Sequence, residues 1–263
     1  MRKYLKFHGM NIDNGNGLPV FTESPEVAMV NMPDGYWNFL IDPDEVRASE
    51  RQILQRVTGN VLPSTSGSDV PLSTFPNGAA AFDPQSGSVN FAVVGDVDIR
   101  ADAWSVAFVV QTVNNSVLSD IINSAEGGTD QAGVGLRVTI VQNGNKINVY
   151  ENAGRTSGSP VRLDYTSDFR TRGVPALVMV TFSTERGLAI WDNGVQVAHD
   201  PTDTRPLTAN RLAGEWQVPR AARDRHGLIG QINADLGLPK NAPFRRMIER
   251  HCRAKYDIAE IPE

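Results

Sequence analysis

The chain has 263 residues, of which 40% are hydrophobic and 21% are charged, and its formal net charge is −5. This apolar fraction supports a folded core and excludes global disorder, and the length fits one large domain or two small ones. The mildly acidic charge argues against a nucleic-acid partner, no apolar run is long enough to span a membrane, and the single cysteine excludes an internal disulfide.

The first 60 residues differ in pattern from the rest of the chain. Their basic start is not followed by an apolar segment, so we expect no secretory signal peptide. Asp42 and Pro43 have the form of a capped helix start, and apolar residues at helical spacing follow until Gly59. This pattern predicts a short helix at about 43–57.

A segment rich in Ser, Thr, Gly and Pro follows at 61–78 and predicts a linker. A compact domain then begins near Ala79 and runs to the end of the chain at 263. With these boundaries, residues 1–60 form a separate N-terminal attachment segment.

Between residues 79 and 235 apolar residues recur with a period of two, for example at Trp104, Val106 and Phe108. Asn-Gly pairs at 143–144 and 193–194 lie between such strands and are typical of two-residue hairpin turns. Because no helix-length pattern separates the strands, we predict an all-β fold, an antiparallel two-sheet jelly-roll sandwich. Small or apolar residues at the alternate positions indicate strands that are covered on both faces.

The C-terminal part changes to a helical period after Pro239. Phe244, Met247, Ile248 and Cys252 form an apolar stripe, so we expect Cys252 to be a buried, unreactive thiol. Residues 205–255 contain 11 Lys or Arg and 4 Asp or Glu, which makes a basic end on an acidic protein. The helix either lies on the sandwich with a solvated basic face or docks onto an acidic partner.

The motifs of common enzymes and metal sites are missing from the sequence. We find no strand with two carboxylates on one face, no G-x-S-x-G elbow and no phosphate loop. The four histidines are too far apart for zinc spacing. We therefore predict no catalytic residue, no metal and no cofactor.

Two aromatic positions are candidates for ligand binding. Trp191 pairs with Gln196 in the second hairpin, and its ring is either covered by a loop or the C-terminal helix or is a platform for a sugar or partner. The other candidate is a loop with Trp216, followed by Arg223, Arg225 and His226. Its cations fit an acidic glycan or a neighbouring subunit, and the alternative is that Trp216 packs on the rim of the sandwich.

Several short motifs in 79–256 resemble the concanavalin A-like (laminin G-like) sandwiches. The most specific is Val-Met-Val-Thr-Phe at 178–182, followed by Leu-Ala-Ile-Trp-Asp-Asn-Gly-Val-Gln-Val at 188–197. The helix at 244–256 is similar to the closing helix of phage and bacterial members, with Asp257 in place of their glycine. The resemblance implies a rim where calcium is often bound, with Asp83 and Asp192 as possible donors, although we do not predict a metal.

These observations lead to the hypothesis of a non-enzymatic structural or adhesion protein of a phage or phage-like particle, such as a capsid decoration, a head fibre or a tail fibre. Residues 1–60 would contact other virion proteins and the sandwich would bind host surface polysaccharide. We expect a homo-oligomer, assembled in the host cytoplasm and located in the virion, without nucleic-acid or membrane contact. The alternatives are a free lectin-like carbohydrate-binding module and a glycan-cleaving enzyme, which would need a carboxylate pair.

Overall fold

The computed structural model describes residues 24–33, 35–47, 52–57, 59–63, 72–83, 92–112, 119–123, 136–141, 146–150, 161–166, 168, 172–207, 213–218 and 224–259. In chain order the helices and strands are α1 (Pro25–Val30), β1 (Trp37–Ile41), β2 (Val46–Arg47), β3 (Gln52–Leu54), β4 (Val61–Pro63), β5 (Leu72–Thr74), β6 (Ala80–Phe82), β7 (Ala92–Asp98), β8 (Ala103–Gln111), β9 (Ser119–Asn123), β10 (Arg137–Val141), β11 (Lys146–Tyr150), β12 (Val161–Thr166), β13 (Ala176–Ser183), β14 (Gly187–Asp192), β15 (Val195–Asp200), β16 (Ala213–Val218), β17 (Arg225–Ile232) and α2 (Ala242–Tyr256). Single 3-10 turns at Pro43–Glu45 and Pro239–Asn241 precede β2 and α2.

The strands form two large antiparallel sheets and one small one. An eight-stranded sheet has the order β15-β14-β13-β8-β17-β6-β5, and β1 pairs with β17 on the same side as β6. A six-stranded sheet has the order β12-β11-β10-β9-β16-β7, and β2, β3 and β4 form a three-stranded sheet. The predicted all-β antiparallel two-sheet sandwich is therefore confirmed.

Apolar side chains cover the eight-stranded sheet on both faces. One row, which includes Phe108 and Val180, packs between the two large sheets against Val138 and Ile147 of the six-stranded sheet. The alternate row packs on the opposite face beneath the two helices, and it includes Val109, Leu177 and Met179, with Met29, Ile248 and Tyr256 above them. This arrangement confirms that some strands are covered on both faces, and it explains why their alternate positions are apolar rather than charged.

Both predicted hairpins have their strands paired as expected. Asn193 and Gly194 have φ angles of 48° and 84°, the positive values that a two-residue turn requires, and β14 pairs antiparallel with β15. β10 and β11 also pair antiparallel, while the turn at 143–144 lies outside the described residues.

The predicted helix at 43–57 is wrong. Asp42 does cap a helical turn, because its Oδ1 accepts a hydrogen bond from the Asp44 N–H at 3.1 Å, but that turn ends at Glu45. The chain then runs into β2, β3 and β4, where Ile53 pairs with Leu62 and both side chains are buried in the core between the sheets. Burial of these side chains against the sandwich outweighs the weak local helix preference.

The predicted boundaries at 60 and 78 also need correction, because the described part of 24–83 belongs to the sandwich. β1 lies within the predicted attachment segment and pairs with β17, and β5 lies within the predicted linker and pairs with β6. β1 and β6 together occupy the free edge of β17, an edge that would otherwise leave backbone groups unpaired.

The predicted closing helix is confirmed as α2. Ile248, Cys252 and Tyr256 are fully buried on its sheet-facing side. The helix ends at Tyr256, and Asp257 after it has a left-handed φ of 53°, a conformation that glycine adopts most readily. Among the described residues, no helix has the length and apolar character needed to cross a membrane.

The environment of Cys252 predicts a thiol that is unreactive in the folded chain. Burial raises the pKa of the Cys252 thiol, so little of the nucleophilic thiolate forms at neutral pH. We expect a chromogenic disulfide reagent to modify no thiol in native protein and one thiol per chain in concentrated denaturant, which serves as the control. Stoichiometric modification without denaturant would contradict the burial.

Candidate functional site

Polar side chains gather at the end of the eight-stranded sheet where β6 and β8 end and β17 begins. The strand register places Arg225 opposite Gln111, and it places His226 opposite both Val110 and Phe82. We call this set the rim cluster, and its members are Asp83, Gln111, Thr112, Asp224, Arg225 and His226.

An ion pair connects two strands within the rim cluster. Arg225 Nε donates to Asp83 Oδ2 at 2.9 Å, and the arginine side chain is 30% exposed whereas the aspartate side chain is 8% exposed. The pairing offsets the cost of burying the carboxylate. Because the bond uses Nε, the terminal guanidinium nitrogens of Arg225 remain as donors without a hydrogen-bond acceptor among the described residues.

Other rim atoms are buried without a hydrogen bond. Gln111 Nε2 donates to the Gly173 carbonyl at 2.7 Å, but Gln111 Oε1 and Thr112 Oγ1 have no hydrogen-bond partner in the part of the chain that the structure describes. An unmade hydrogen bond of this kind costs about 1–3 kcal/mol unless a ligand or water supplies it. The rim cluster therefore contains an amide acceptor, a hydroxyl and guanidinium donors that a polar ligand could satisfy.

His226 lies on the inner side of the rim cluster. Its neighbours in register, Val110 and Phe82, belong to the core between the sheets. The histidine itself is fully buried, and no described residue forms a hydrogen bond with either ring nitrogen. Burial lowers the pKa of His226 to about 3, and the charge of Asp83 opposes that change only partly. At neutral pH this side chain is therefore a neutral core residue and not a surface cation.

The other two residues of the predicted ligand loop are placed only in part. Trp216 lies in β16, where its backbone pairs with Val94 of β7, so this position is a strand of the six-stranded sheet and not a loop. The Trp216 side chain and the whole of Arg223 lie outside the described residues.

Trp191 is covered rather than open. It pairs with Gln196 as predicted, but only 9% of the residue is exposed, and its Nε1 donates to Thr181 Oγ1 at 3.0 Å. The Arg245 guanidinium carbon lies 4.2 Å from the centroid of the indole, and that of Arg186 lies 5.4 Å from it. Of the two alternatives, the one in which the C-terminal helix covers the ring describes the structure, since Arg245 belongs to α2.

The two carboxylates considered as calcium donors are both paired with arginine. Asp83 accepts from Arg225, and Asp192 accepts from two nitrogens of Arg172 at 2.8 Å each. The hydrogen bonds from Arg172 to Asp192 are the main reason that the pKa of this arginine rises. In the described ranges, no three His, Cys, Asp or Glu side chains are grouped so that they could hold a metal ion.

Sequence reasoning identified Arg225 and His226 but missed Gln111, Thr112 and Asp224. The available signal was the position of Gln111 and Thr112, two polar residues that directly follow the apolar run of β8. That signal does not show which other strand ends lie beside them, because Asp83 and Arg225 are 142 residues apart in the chain.

No protein-family model matches this chain, and no curated protein matches it. Among solved structures, the receptor-binding domain of botulinum neurotoxin D is 11% identical, with a TM-score of 0.50, over 80% of this chain and 52% of that one. A Trypanosoma rangeli sialidase in complex with a difluoro-KDN is 11% identical, with a TM-score of 0.50, over 84% of this chain and 33% of that one. This chain thus spans about half of the first and a third of the second, and at such identity the likeness concerns the β-sandwich fold alone.

Proposed function

We propose that this chain is a non-enzymatic carbohydrate-binding sandwich that serves as a structural or adhesion protein of a phage or phage-like particle. The observation that carries the binding function is the rim cluster, where the buried Gln111 Oε1 and Thr112 Oγ1 have no hydrogen-bond partner among the described residues and Gln111 pairs in register with Arg225. Sugar hydroxyls both donate and accept hydrogen bonds, so a glycan can supply partners of either kind.

The carboxylates support a binding role rather than glycan cleavage. A glycosidase needs two carboxyl groups free to act on the sugar, one of them as an acid. In the described part of the chain, four buried aspartates are instead held by cations: Asp42 by Lys255, Asp83 by Arg225, Asp192 by Arg172 and Asp203 by Arg162. These groups act as counter-charges within the fold.

The particle part of the proposal rests on the resemblance of the closing helix to that of phage members. In this proposal the chain is a homo-oligomer in the virion, it contacts other virion proteins through residues 1–60, and its rim faces host polysaccharide. Mass spectrometry of purified particles is the test. Absence of the chain from them would reject the particle role and favour the alternative of a free lectin-like module with the same rim.

Glycan binding is tested with the full chain on an array of bacterial polysaccharides, followed by titration of the best binder. Thr112→Val removes the buried hydroxyl and keeps a similar shape. We expect it to weaken glycan binding about threefold to tenfold, the worth of one hydrogen bond, and to leave thermal stability equal or higher. If the hydroxyl had only a structural role, Thr112→Val would not weaken binding while leaving thermal stability unchanged.

Two arginine substitutions form a matched pair. Arg225 lies beside the end of β8, opposite Gln111, and Arg100 lies near its start. Arg225→Gln, which removes the rim donors, should weaken binding at least tenfold. Arg100→Gln should leave it unchanged, because Arg100 is exposed and lies just before β8 begins, at the end opposite Gln111. No binding to any glycan at millimolar concentration, or equal binding by the wild type and Thr112→Val, would overturn the rim site.

A further inference from the structure

Two arginines lie against one indole where α2 crosses the edge of the eight-stranded sheet. Arg245 comes from α2 and Arg186 from the turn between β13 and β14, and both guanidinium groups contact the ring of Trp191. We call these three residues the indole stack. Burial lowers the pKa of Arg186, and the like charge of Arg245 lowers it further. The indole stack therefore holds two cations that repel each other.

The neighbouring carboxylates neutralise this charge incompletely. Asp235 Oδ1 is 3.9 Å from Arg186 Nη1, and the two oxygens of Asp235 already accept from Ser183 Oγ at 2.6 Å and Gly237 N at 2.7 Å. Glu249 Oε1 lies 3.1 Å from Arg245 Nε. Burial raises the pKa of Glu249, so its carboxylate is protonated more easily than an exposed one.

Arg245 consequently has unused donors. Its Nε lies 3.1 Å from Glu249 Oε1 as an ion pair without hydrogen-bond geometry, and in the described part of the chain no group accepts a hydrogen bond from its terminal nitrogens. The side chain is 16% exposed, so part of it faces solvent. A guanidinium with two adjacent free N–H groups matches the geometry of a carboxylate.

The second cation is held rigidly in place. Arg186 donates to Thr181 Oγ1 at 3.2 Å and to Gln196, and its guanidinium lies over Gly237, where an added Cβ would be 2.5 Å from the Arg186 Cζ. The start of α2, whose N-cap residue makes no side-chain capping bond, adds positive potential nearby. Fixed positive charge next to unused donors is what a preorganised anion site requires.

We propose that the terminal nitrogens of Arg245, supported by the charge of Arg186, bind the carboxylate of an acidic sugar. This subsite is separate from the rim cluster, because Arg186 lies at the end of the sheet where β8 begins whereas Gln111 ends that strand. The indole stack is the basis for expecting a carboxylate. The expectation that this carboxylate belongs to a sugar rests on the proposed glycan-binding function.

The experiment compares glucuronate with glucose, which differ at the carboxylate, by ligand-observed NMR and calorimetry on the full chain. We expect saturable millimolar binding of glucuronate and none of glucose. Arg245→Lys keeps the charge but loses the two-pronged donor, and we expect it to weaken binding about tenfold, whereas Arg245→Gln should abolish binding. Arg250→Gln, an exposed arginine on the same helix, should bind like the wild type.

Thermal unfolding of each variant shows whether the fold is intact, and Arg245→Lys serves as the informative variant if Arg245→Gln fails to fold. Absence of glucuronate binding, or equal binding by the wild type and Arg245→Lys, would overturn the subsite. Acetate binding as tightly as glucuronate would overturn the assignment of a sugar. Failure of the proposed function gives a different result from failure of this subsite. In that case no glycan binding depends on Thr112, while glucuronate binding that depends on Arg245 remains.

Discussion

A chain that begins at Ala79 is expected to lose cooperative folding, because the residues removed include two strands of the eight-stranded sheet. β1 contributes Phe39 and Ile41 to the core between the sheets and Trp37 and Leu40 to the core beneath the helices, all at most 6% exposed. Each such side chain contributes about 1.5–3 kcal/mol. Their combined loss is comparable to the whole stability of a typical domain, about 5–15 kcal/mol. Urea unfolding followed by circular dichroism measures the effect.

Single substitutions in the full chain provide the controls for this truncation. Phe39→Ala should lower the free energy of unfolding by about 3–5 kcal/mol, since it leaves a cavity in the core. Val195→Ala, at a side chain that is 44% exposed, should change it by less than about 0.5 kcal/mol. A chain starting at Ala79 with the urea midpoint of the full protein would show that β1 is an appendage after all.

Acidification is expected to destabilise the protein through His226. The unfolded histidine binds a proton as the pH falls below about 6.5, whereas burial lowers the pKa of His226 in the folded chain to about 3. Because the unfolded state binds the proton first, the free energy of unfolding decreases as the pH is lowered from about 6.5 to about 3. By pH 4.5 this linkage amounts to roughly 2–3 kcal/mol.

The measurement is urea unfolding at pH 7.5 and pH 4.5 for the wild type and for His226→Leu. We expect the variant to lose less stability over this range by roughly 2–3 kcal/mol. His199→Gln, at an exposed histidine, should behave like the wild type. Desolvation raises the pKa of Asp203, but the hydrogen bonds from Arg162 and Arg205 outweigh it and hold that pKa low. The stability from Asp203 is present above pH 3.8 and lost below it, outside the chosen window. Equal losses in the wild type and His226→Leu would contradict a buried neutral histidine.

The alternation of apolar residues was sufficient to predict the central strands and their class. At 104–110 and 178–182 a period of two puts one row between the sheets, and the apolar second row already indicated the cover on the other face. Asn193-Gly194 and the stripe through Ile248 and Cys252 are equally local signals, because a two-residue turn and a helix are defined by neighbours in the chain.

Pairings between distant residues were decided only by the tertiary structure. The 43–57 segment carries helix signals, yet it forms short strands because Ile53 gains more by burial in the sandwich than in an isolated helix. In the same way, Trp37 pairs with Ile232 because β17 offers a free edge, which no pattern near Trp37 reveals.

The candidate sites depend on the same long-range placement. Trp191 and Arg225 are visible in the sequence as an aromatic and a cation, but their exposure and charge partners depend on α2 and on the end of β6. Composition and periodicity therefore determined the fold class and the polar candidates. Burial decided which candidates remain available to a ligand, since it depends on contacts between residues far apart in the chain, such as Trp191 with Arg245 and Asp83 with Arg225.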